Sequence, residues 1–302
     1  MAVVSTRFKG PESHTSDYVW KRCLKRLLDG DVVARISKMT SVVSLYRYPI
    51  KGLSPEMVTT LPTRAHGVAH DREFALALGT TAFDPENPEP LEKGHFLMLR
   101  ANEQLAGLGV KLDCASGSVR IETPDGSVFV ENITTEEGAA RIEDFFHGYI
   151  GTACKGSPSL VWAKGHKFTD ASFLSPTLMR AVSLINLASV RALEEKIGMT
   201  LNPLRFRGNI YVSGLEPWQE LDWIDKEFQI GRIHVRGLAR TPRCAAVNVN
   251  PDTAIRDANL RKAISQHFGH VDLGVYLQVL SDGELQVGDE VLEAMTLAKF
   301  VS

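Results

Sequence analysis

The chain has 302 residues, of which 44% are hydrophobic and 23% charged, the composition of a soluble globular enzyme. Its formal net charge of −2 argues against broad binding to nucleic acid or to an anionic membrane, and no apolar run approaches the ~20 residues that span a bilayer. The four cysteines, Cys23, Cys114, Cys154 and Cys244, form no Cys-x-x-Cys pair, so we predict reduced thiols and a cytoplasmic protein.

Residues 1–40 differ from the rest of the chain. Basic and apolar residues alternate there at helical spacing, but the continuous apolar stretch and small-residue cleavage site of a signal peptide are missing. Acidic residues such as Glu12 and Asp17 disfavour a mitochondrial presequence, and a translation start at Met39 is a further interpretation. We therefore predict a dispensable or misassigned extension over residues 1–40.

From Ser41 onward, short β-branched and aromatic runs punctuated by glycine and proline predict many strands. Three helices are predicted: residues 135–150, capped by Thr134 or Thr135; residues 188–197; and a helix that Asp257 caps and that ends at Phe268. Long β/α alternation and a glycine-rich phosphate loop are both missing from the sequence, which disfavours a Rossmann fold. A β-barrel-rich α+β protein fits this pattern best.

The stretch with the most chemical information runs from residue 236 to residue 254 and contains Cys244. Arg240 and Arg243 lie close to this cysteine, and neighbouring cations favour the thiolate, the form that acts as a nucleophile or a soft metal ligand. The alternative is an ordinary half-buried cysteine at the start of a strand from Cys244 to Val249.

Five segments resemble, in the right order, the MOSC domain family, named after the C-terminal domain of molybdenum cofactor sulfurase. They are Tyr48-Pro49-Ile50-Lys51, His70-Asp71-Arg72-Glu73-Phe74, Arg207-Gly208-Asn209-Ile210, Arg243-Cys244 with the Val247 to Thr253 run, and the closing strands at Gly274-Val275-Tyr276 and Val287 to Val291. The resemblance implies a β-rich α+β fold with a few peripheral helices. It also implies an N-terminal MOSC-associated β-barrel over 41–165 and a MOSC-type β-barrel over 166–296.

The best understood similar proteins are the mitochondrial amidoxime-reducing components and their bacterial counterparts, which bind the molybdenum cofactor. The resemblance implies that Cys244 is the catalytic thiolate that binds molybdenum. The residues that would hold the pterin and its phosphate are Lys51, Gly52, Arg72, Arg180, Ser183, Arg207, Asn209 and Arg243. Lys51 as a solvated loop residue, and Arg72 or Arg207 as a structural ion-pair partner, are the alternatives.

Two departures from the family pattern bear on this set. An Asp-Thr-Ser-Pro segment of the relatives is replaced by Leu178-Met179-Arg180-Ala181, so Arg180 would supply a charge in place of hydroxyl contacts. Gly208 replaces the usual proline, and together with Gly52 it would allow the backbone to approach the cofactor closely.

The implied function is a molybdenum-cofactor-dependent oxidoreductase that reduces N-hydroxylated or N-oxygenated small molecules. No cluster of four cysteines follows the MOSC segment, so the electrons would come from a separate donor protein. A non-catalytic carrier of the cofactor or of sulfur, and a β-barrel that has lost the cofactor, are the alternatives. The family is also associated with pyridoxal phosphate binding.

Overall fold

A computed structural model of the chain describes residues 39–293, so nearly all of the predicted extension lies outside the described residues. The strands in this part of the chain are β1 (Ser41–Arg47), β2 (Glu56–Val58), β3 (Thr60–Arg64), β4 (Gly67–Val68), β5 (Phe74–Ala77), β6 (Gly109–Asp113), β7 (Ser118–Glu122), β8 (Val128–Asn132), β9 (Ser159–Trp162), β10 (Val182–Asn186), β11 (Ile210–Ser213), β12 (Glu227–Ile230), β13 (Ile233–Pro242), β14 (Asp272–Val279), β15 (Gly283–Gln286) and β16 (Val291–Glu293). The α-helices described are α1 (Glu136–Ile150), α2 (Pro176–Met179), α3 (Leu187–Ile197) and α4 (Leu260–Phe268).

The largest sheet curls into a barrel. Its eight strands run in the order β16-β12-β13-β14-β10-β11-β1-β2, and every neighbouring pair is antiparallel except the parallel pair β10–β11. The seam forms where Val42 N donates to Asp289 O and Val291 N donates to Thr40 O, both at 2.8 Å. Closure of a sheet removes exposed edges. The β-rich α+β fold with a few peripheral helices is therefore confirmed.

Strand β10 shows how the sequence builds two apolar layers from one strand. Leu184 faces the barrel interior, with Val212 of β11, whereas Ile185 faces outward and packs with residues of α3 and α4. All five residues of β10 are buried, because both faces of this strand are covered. The site described below lies beside the start of β10 and also draws residues from the last part of β13.

The N-terminal part has a core of its own. Strands β6, β7 and β8 form a meander, and Ile142 and Phe146 of α1 pack in the same buried cluster as Val110 and Ile121. The predicted cap of α1 is confirmed, since Thr135 Oγ1 accepts a hydrogen bond from Gly138 N at 3.1 Å.

Two local predictions are wrong. Helix α4 begins at Leu260 with Asn259 as its cap, because the Asp257 carboxylate is instead paired with Arg205 at 2.7 Å. The strand predicted from Cys244 to Val249 is a 3-10 turn at Ala245–Asn248. Val247 and Val249 are both buried, so their alternate spacing imitates a strand although the backbone turns.

Candidate functional site

A cavity of about 450 Å³ lies where the loops after β1 and β13 meet the starts of β10 and β11. We call it the inner cavity. All of the predicted site residues except Arg180 line it, namely Lys51, Gly52, Arg72, Ser183, Arg207, Asn209, Arg243 and Cys244. The pairing of strands brings three of its lining residues together. Tyr276 of β14 lies opposite Ser183 of β10 on one side and opposite Ala239 of β13 on the other. The binding roles of these residues stay predictions.

The inner cavity is strongly basic. Its cationic lining residues are Lys51, Arg72, Lys93, Arg100, Arg205, Arg207, Arg240 and Arg243. Asp170 is the only acidic residue among the described residues that line it. Guanidinium and ammonium groups that line a cavity together with a single carboxylate attract anions. Arginine in particular matches the geometry of phosphate.

Two arginines stack on one buried tyrosine. The guanidinium carbons of Arg72 and Arg207 each lie 4.4 Å from the ring centroid of Tyr48, which is fully buried. Both arginines have a φ of 51°, in the left-handed region that is costly for a residue with a Cβ atom. Local strain of this kind indicates that the surrounding loops hold the two side chains in a fixed position.

A buried network of hydrogen bonds holds the Arg72 side chain in position. The Asn209 side-chain amide donates to Asp71 Oδ1 at 2.9 Å and to Tyr46 O at 3.1 Å, and its oxygen accepts from Ser183 N at 3.2 Å. Asp71 Oδ2 in turn accepts from Arg72 Nη1 at 2.6 Å. The polar atoms of Asn209 are thus used within the protein, which makes Asn209 a positioning residue rather than a free donor.

Arg207 differs from its neighbours because its guanidinium forms no hydrogen bond or ion pair with any residue in the described part of the chain; it only stacks on Tyr48. Burial lowers the pKa of Arg207, although Tyr48 opposes this change. Arg243 is also buried, and burial lowers its pKa, but its Nη1 donates to Phe206 O at 2.8 Å and its Nε to Leu273 O at 2.7 Å. Arg243 therefore contributes charge to the cavity, whereas Arg207 has donors left for a ligand.

Lys51 is buried rather than solvated, with 4% of its surface exposed. Its ammonium donates to Asp170 Oδ1 at 2.7 Å and to Phe168 O at 3.0 Å. Burial lowers the pKa of Lys51, while Asp170 opposes this change. For Asp170, burial alone would raise the pKa, but Lys51 and Lys93 hold it well below its usual range. Asp170 is therefore an anionic counterion at the cavity wall.

The sequence analysis missed Asp170 as a lining residue, and the predicted cofactor role of Arg180 stays a prediction. Asp170-Ala171-Ser172 retains the acid and the serine of the Asp-Thr-Ser-Pro pattern that we placed at residues 178–181. Arg180 does not line the inner cavity but follows helix α2, and its carbonyl packs against Gly67, where an added Cβ atom would lie 2.4 Å away. A search for the acid upstream of α2 would have found Asp170.

The segment around Cys244 brings two further groups to the cavity. Strand β13 has an irregular register between Arg240 and Pro242, and such bulges redirect side chains. Thr241, at this irregularity, is 4% exposed, and its hydroxyl has no hydrogen-bond partner among the described residues. A buried hydroxyl without a partner is costly, so a ligand that bonds it would be stabilised. The Cys244 thiol is half-buried and free.

The two glycines pack closely against other parts of the chain. Gly52 has a φ of 83°, and a Cβ atom there would lie 2.8 Å from Leu97 O. A Cβ atom at Gly208 would lie 2.4 Å from Ile185 Cγ1. Both positions therefore disfavour a Cβ atom even without a ligand, and close approach of the backbone to the cofactor stays a prediction.

The described part of the chain contains neither a cluster of metal-ligating side chains nor a membrane-spanning helix. Over residues 39–293, no group of three or more His, Cys, Asp or Glu side chains is arranged to hold a metal ion. No helix in the same range is long and apolar enough to cross a membrane.

Comparison with known families gives two adjoining matches. Residues 39–152 match the MOSC N-terminal beta barrel domain, and residues 164–292 match the MOSC domain. The chain belongs to the MOSC family. Both predicted β-barrel domains are thereby confirmed as present, while their predicted limits, 41–165 and 166–296, stay predictions.

Similar proteins carry two different names. This MOSC protein is 24% identical to the molybdenum cofactor sulfurase of Danio rerio over 268 residues, 78% of this chain and 32% of that protein. It is 27% identical to mitochondrial amidoxime reducing component 2 of Bos taurus over 300 residues, 86% of this chain and 84% of that protein. The solved YuaD protein of Bacillus subtilis is 14% identical, with a TM-score of 0.39 over 84% of this chain and 94% of that one. The chain thus spans about a third of the length of the sulfurases that it matches.

Proposed function

We propose that this MOSC protein binds the molybdenum cofactor in the inner cavity and reduces the N–O bond of N-hydroxylated small molecules. The observation that carries the proposal is that one cavity is lined both by a free thiol at Cys244 and by a guanidinium at Arg207 that has no hydrogen-bond partner among the described residues. A thiolate is a soft ligand that suits a sulfur-bound metal, and a guanidinium suits a phosphate.

The residues of the inner cavity fit this cofactor. Arg207 and the fixed Arg72 would hold its anionic phosphate, and the Thr241 hydroxyl, buried without a partner, would gain a hydrogen bond. Cys244 would bind the metal. When bound, the cofactor would supply two-electron exchange with the substrate, while the protein supplies position, charge and exclusion of water.

The proposed reaction breaks one N–O bond. A hydroxylamine R–NH–OH takes up two electrons and two protons and gives R–NH₂ and water, and the electrons come from a separate donor protein. Lys51 is a buried lysine in the cavity lining whose pKa burial lowers, and its Nζ atom would hold a proton there. Asp170 would keep that ammonium oriented through their 2.7 Å ion pair.

A second candidate function is a non-catalytic carrier that holds the cofactor or its sulfur. The similarity to the molybdenum cofactor sulfurases favours it, because this chain matches about a third of each of them. A carrier would contain exchangeable cofactor and would show no turnover with any reductant. Pyridoxal phosphate binding and a cytoplasmic location stay predictions.

The decisive experiment measures molybdenum and pterin in full-length protein purified from a host that makes the cofactor. Cys244→Ser is the test variant, and Cys114→Ser is its matched control, because Cys114 is a free cysteine that does not line the inner cavity. We expect near-stoichiometric metal in the wild type and the control, and none in Cys244→Ser. Loaded protein should then reduce benzamidoxime with reduced methyl viologen as the electron donor.

Three outcomes separate the hypotheses. Metal and activity retained by Cys244→Ser would overturn the proposal. Loaded protein without turnover would favour the carrier. Negligible metal in all three proteins would leave the cofactor-free barrel as the better interpretation.

A further inference from the structure

A second cavity, of about 480 Å³, lies next to the inner one and shares Cys244 with it. We call it the outer cavity. Lys93, Arg100, Pro242 and Arg243 also line both cavities. Arg261, by contrast, lines the outer cavity and not the inner one. Cys244 therefore lines both cavities, and Arg261 lines only the outer one.

The outer cavity has a wall of one charge sign. Its charged lining residues are Lys93, Arg100, Arg243 and Arg261, with no acid among the described residues that line it. Lys93 shares Asp170 with Lys51, at 3.8 Å from the carboxylate. The side chains of Arg100 and Arg261 are exposed and form no hydrogen bond or ion pair with any described residue. Their charge is available to a ligand that enters from solvent.

The local structure around Arg261 does not favour a positively charged side chain. It occupies the first turn of α4 (Leu260–Phe268), which contains no acidic residue. The positive end of the helix dipole lies there, so a cation in this turn is mildly unfavourable. Nor does packing explain it, since the side chain is exposed. What distinguishes Arg261 is that it lines the same cavity as Cys244, the thiol that would bind the metal.

We infer that the outer cavity is the substrate entrance and that Arg261 and Arg100 select N-oxygenated substrates bearing an anionic group, such as a carboxylate. This inference rests on the proposed function and deepens it. A cofactor bound in the inner cavity would leave the outer cavity as the open approach to Cys244. Cations at its wall concentrate anions and orient them, and because they are exposed, added salt screens the effect.

The first test compares two substrates of nearly equal shape, benzamidoxime and its 4-carboxylate derivative. We expect kcat/KM to favour the carboxylate at low salt, and Arg261→Gln to lower this preference about 1.5-fold to fivefold, the range for an exposed charge pair. Lys262→Gln is the matched control, because Lys262 is the adjacent cation on α4 but does not line the outer cavity. It should leave the preference unchanged.

The second test needs neither cofactor nor turnover. Cofactor-free protein is alkylated with iodoacetate, which is anionic, or iodoacetamide, which is neutral, and the rate at Cys244 is followed by mass spectrometry. We expect the ratio of the two rates to fall about 1.5-fold to fivefold in Arg261→Gln and at 0.5 M salt, but not in Lys262→Gln.

The two tests fail in different ways. A rate ratio at Cys244 that is equal in wild type, Arg261→Gln and Lys262→Gln would overturn the inference, whatever the enzyme reduces. A ratio that falls as expected in a protein that reduces no amidoxime would support the anion-selective entrance and contradict the proposed reaction. Efficient reduction of both benzamidoximes with no preference for the carboxylate would overturn the substrate class.

Discussion

The two sides of Cys244 are built in opposite ways. On the inner side, Asn209, Asp71 and Arg72 are bonded to one another below the surface, and strained backbone at Arg207 holds a guanidinium over Tyr48. On the outer side, the side chains of Arg100 and Arg261 are exposed and form no hydrogen bond or ion pair with described residues. A fixed framework suits a ligand that stays bound, because its geometry is prepared in advance. Exposed charges suit a molecule that comes and goes.

The largest effect should come from breaking the inner framework. Asn209→Ala removes an amide that is 1% exposed, so Tyr46 O and Asp71 each lose a donor and Ser183 N loses its acceptor. We expect the free energy of unfolding to fall by about 2–4 kcal/mol in urea denaturation, the cost of breaking a buried network. The control Asn87→Ala, in an exposed loop, should cost less than about 0.5 kcal/mol. A similar small loss in both variants would mean that the framework is not rigid.

The loop that carries Asp71 and Arg72 provides a pH-dependent test. Lys167 donates to Val68 O at 2.6 Å and to Asp71 O at 3.0 Å, and its ammonium lies 3.5 Å from Glu73. Burial would raise the pKa of Glu73, but His70 and Lys167 lower it to about 2. Because the folded pKa is depressed, the ionised carboxylate stabilises the protein above its unfolded pKa of ~4.3. This contribution is lost as the pH falls toward 2.

We therefore expect Glu73→Gln to reduce the free energy of unfolding by about 1–3 kcal/mol at pH 7. The difference from wild type should shrink steadily between pH 4.5 and pH 2, measured by urea denaturation across that range. Glu122→Gln, an exposed partner of Arg120 on β7, is the control and should change little at any pH. A Glu73→Gln deficit that stays constant with pH would contradict the ion-pair explanation.

Arg207 should matter for the ligand more than for the fold. Arg207→Gly relieves left-handed backbone strain but loses the stacking on Tyr48, so the two effects offset and stability should change by less than about 1 kcal/mol. Molybdenum content, measured by mass spectrometry of the purified protein, should nevertheless drop several-fold. Lys155→Gly is the matched control, because Lys155 has a φ of 52° but does not line the inner cavity. Full metal retention by Arg207→Gly would remove Arg207 from the binding set.

The smallest effect is expected on the outer side. Arg261→Gln removes an exposed cation from the positive end of a helix, so we expect the free energy of unfolding to rise by no more than about 0.5 kcal/mol. A loss of more than about 1 kcal/mol in thermal or urea unfolding would show that Arg261 supports the fold. It would then be unsuitable as a probe of the entrance.

Local sequence signals predicted local structure well and failed where tertiary contacts decide. The cap at Thr135 depends on neighbouring residues, and it is present. Asp257 has the chemistry of a helix cap, but its carboxylate is taken by Arg205, more than 50 positions earlier in the chain. Val247 and Val249 have the spacing of a strand because both are buried, not because the backbone is extended throughout.

The candidate site shows the same division. The resemblance placed Cys244, Arg72 and Arg207 on a common site, and the fold brings them to one cavity. Asp170 escaped prediction because we placed the acid of the family pattern at residues 178–181, and its pairing with Lys51, 119 positions away, follows only from the fold. Only the three-dimensional contacts show that the side-chain amide of Asn209 already donates its hydrogen bonds to Tyr46 O and Asp71 Oδ1. Residue type was predictable from sequence, whereas the availability of each donor was not.

The seam of the barrel has a consequence for how the molecule is made. Strand β1 bonds to the segment before β16 at the other end of the described chain, and the inner cavity draws residues from Lys51 to Tyr276. Contacts between such distant positions form slowly, since a long loop must close before they stabilise anything. The binding cavity should therefore be among the last features to appear during folding. Any cofactor that stabilises it would be loaded after synthesis, onto a finished barrel.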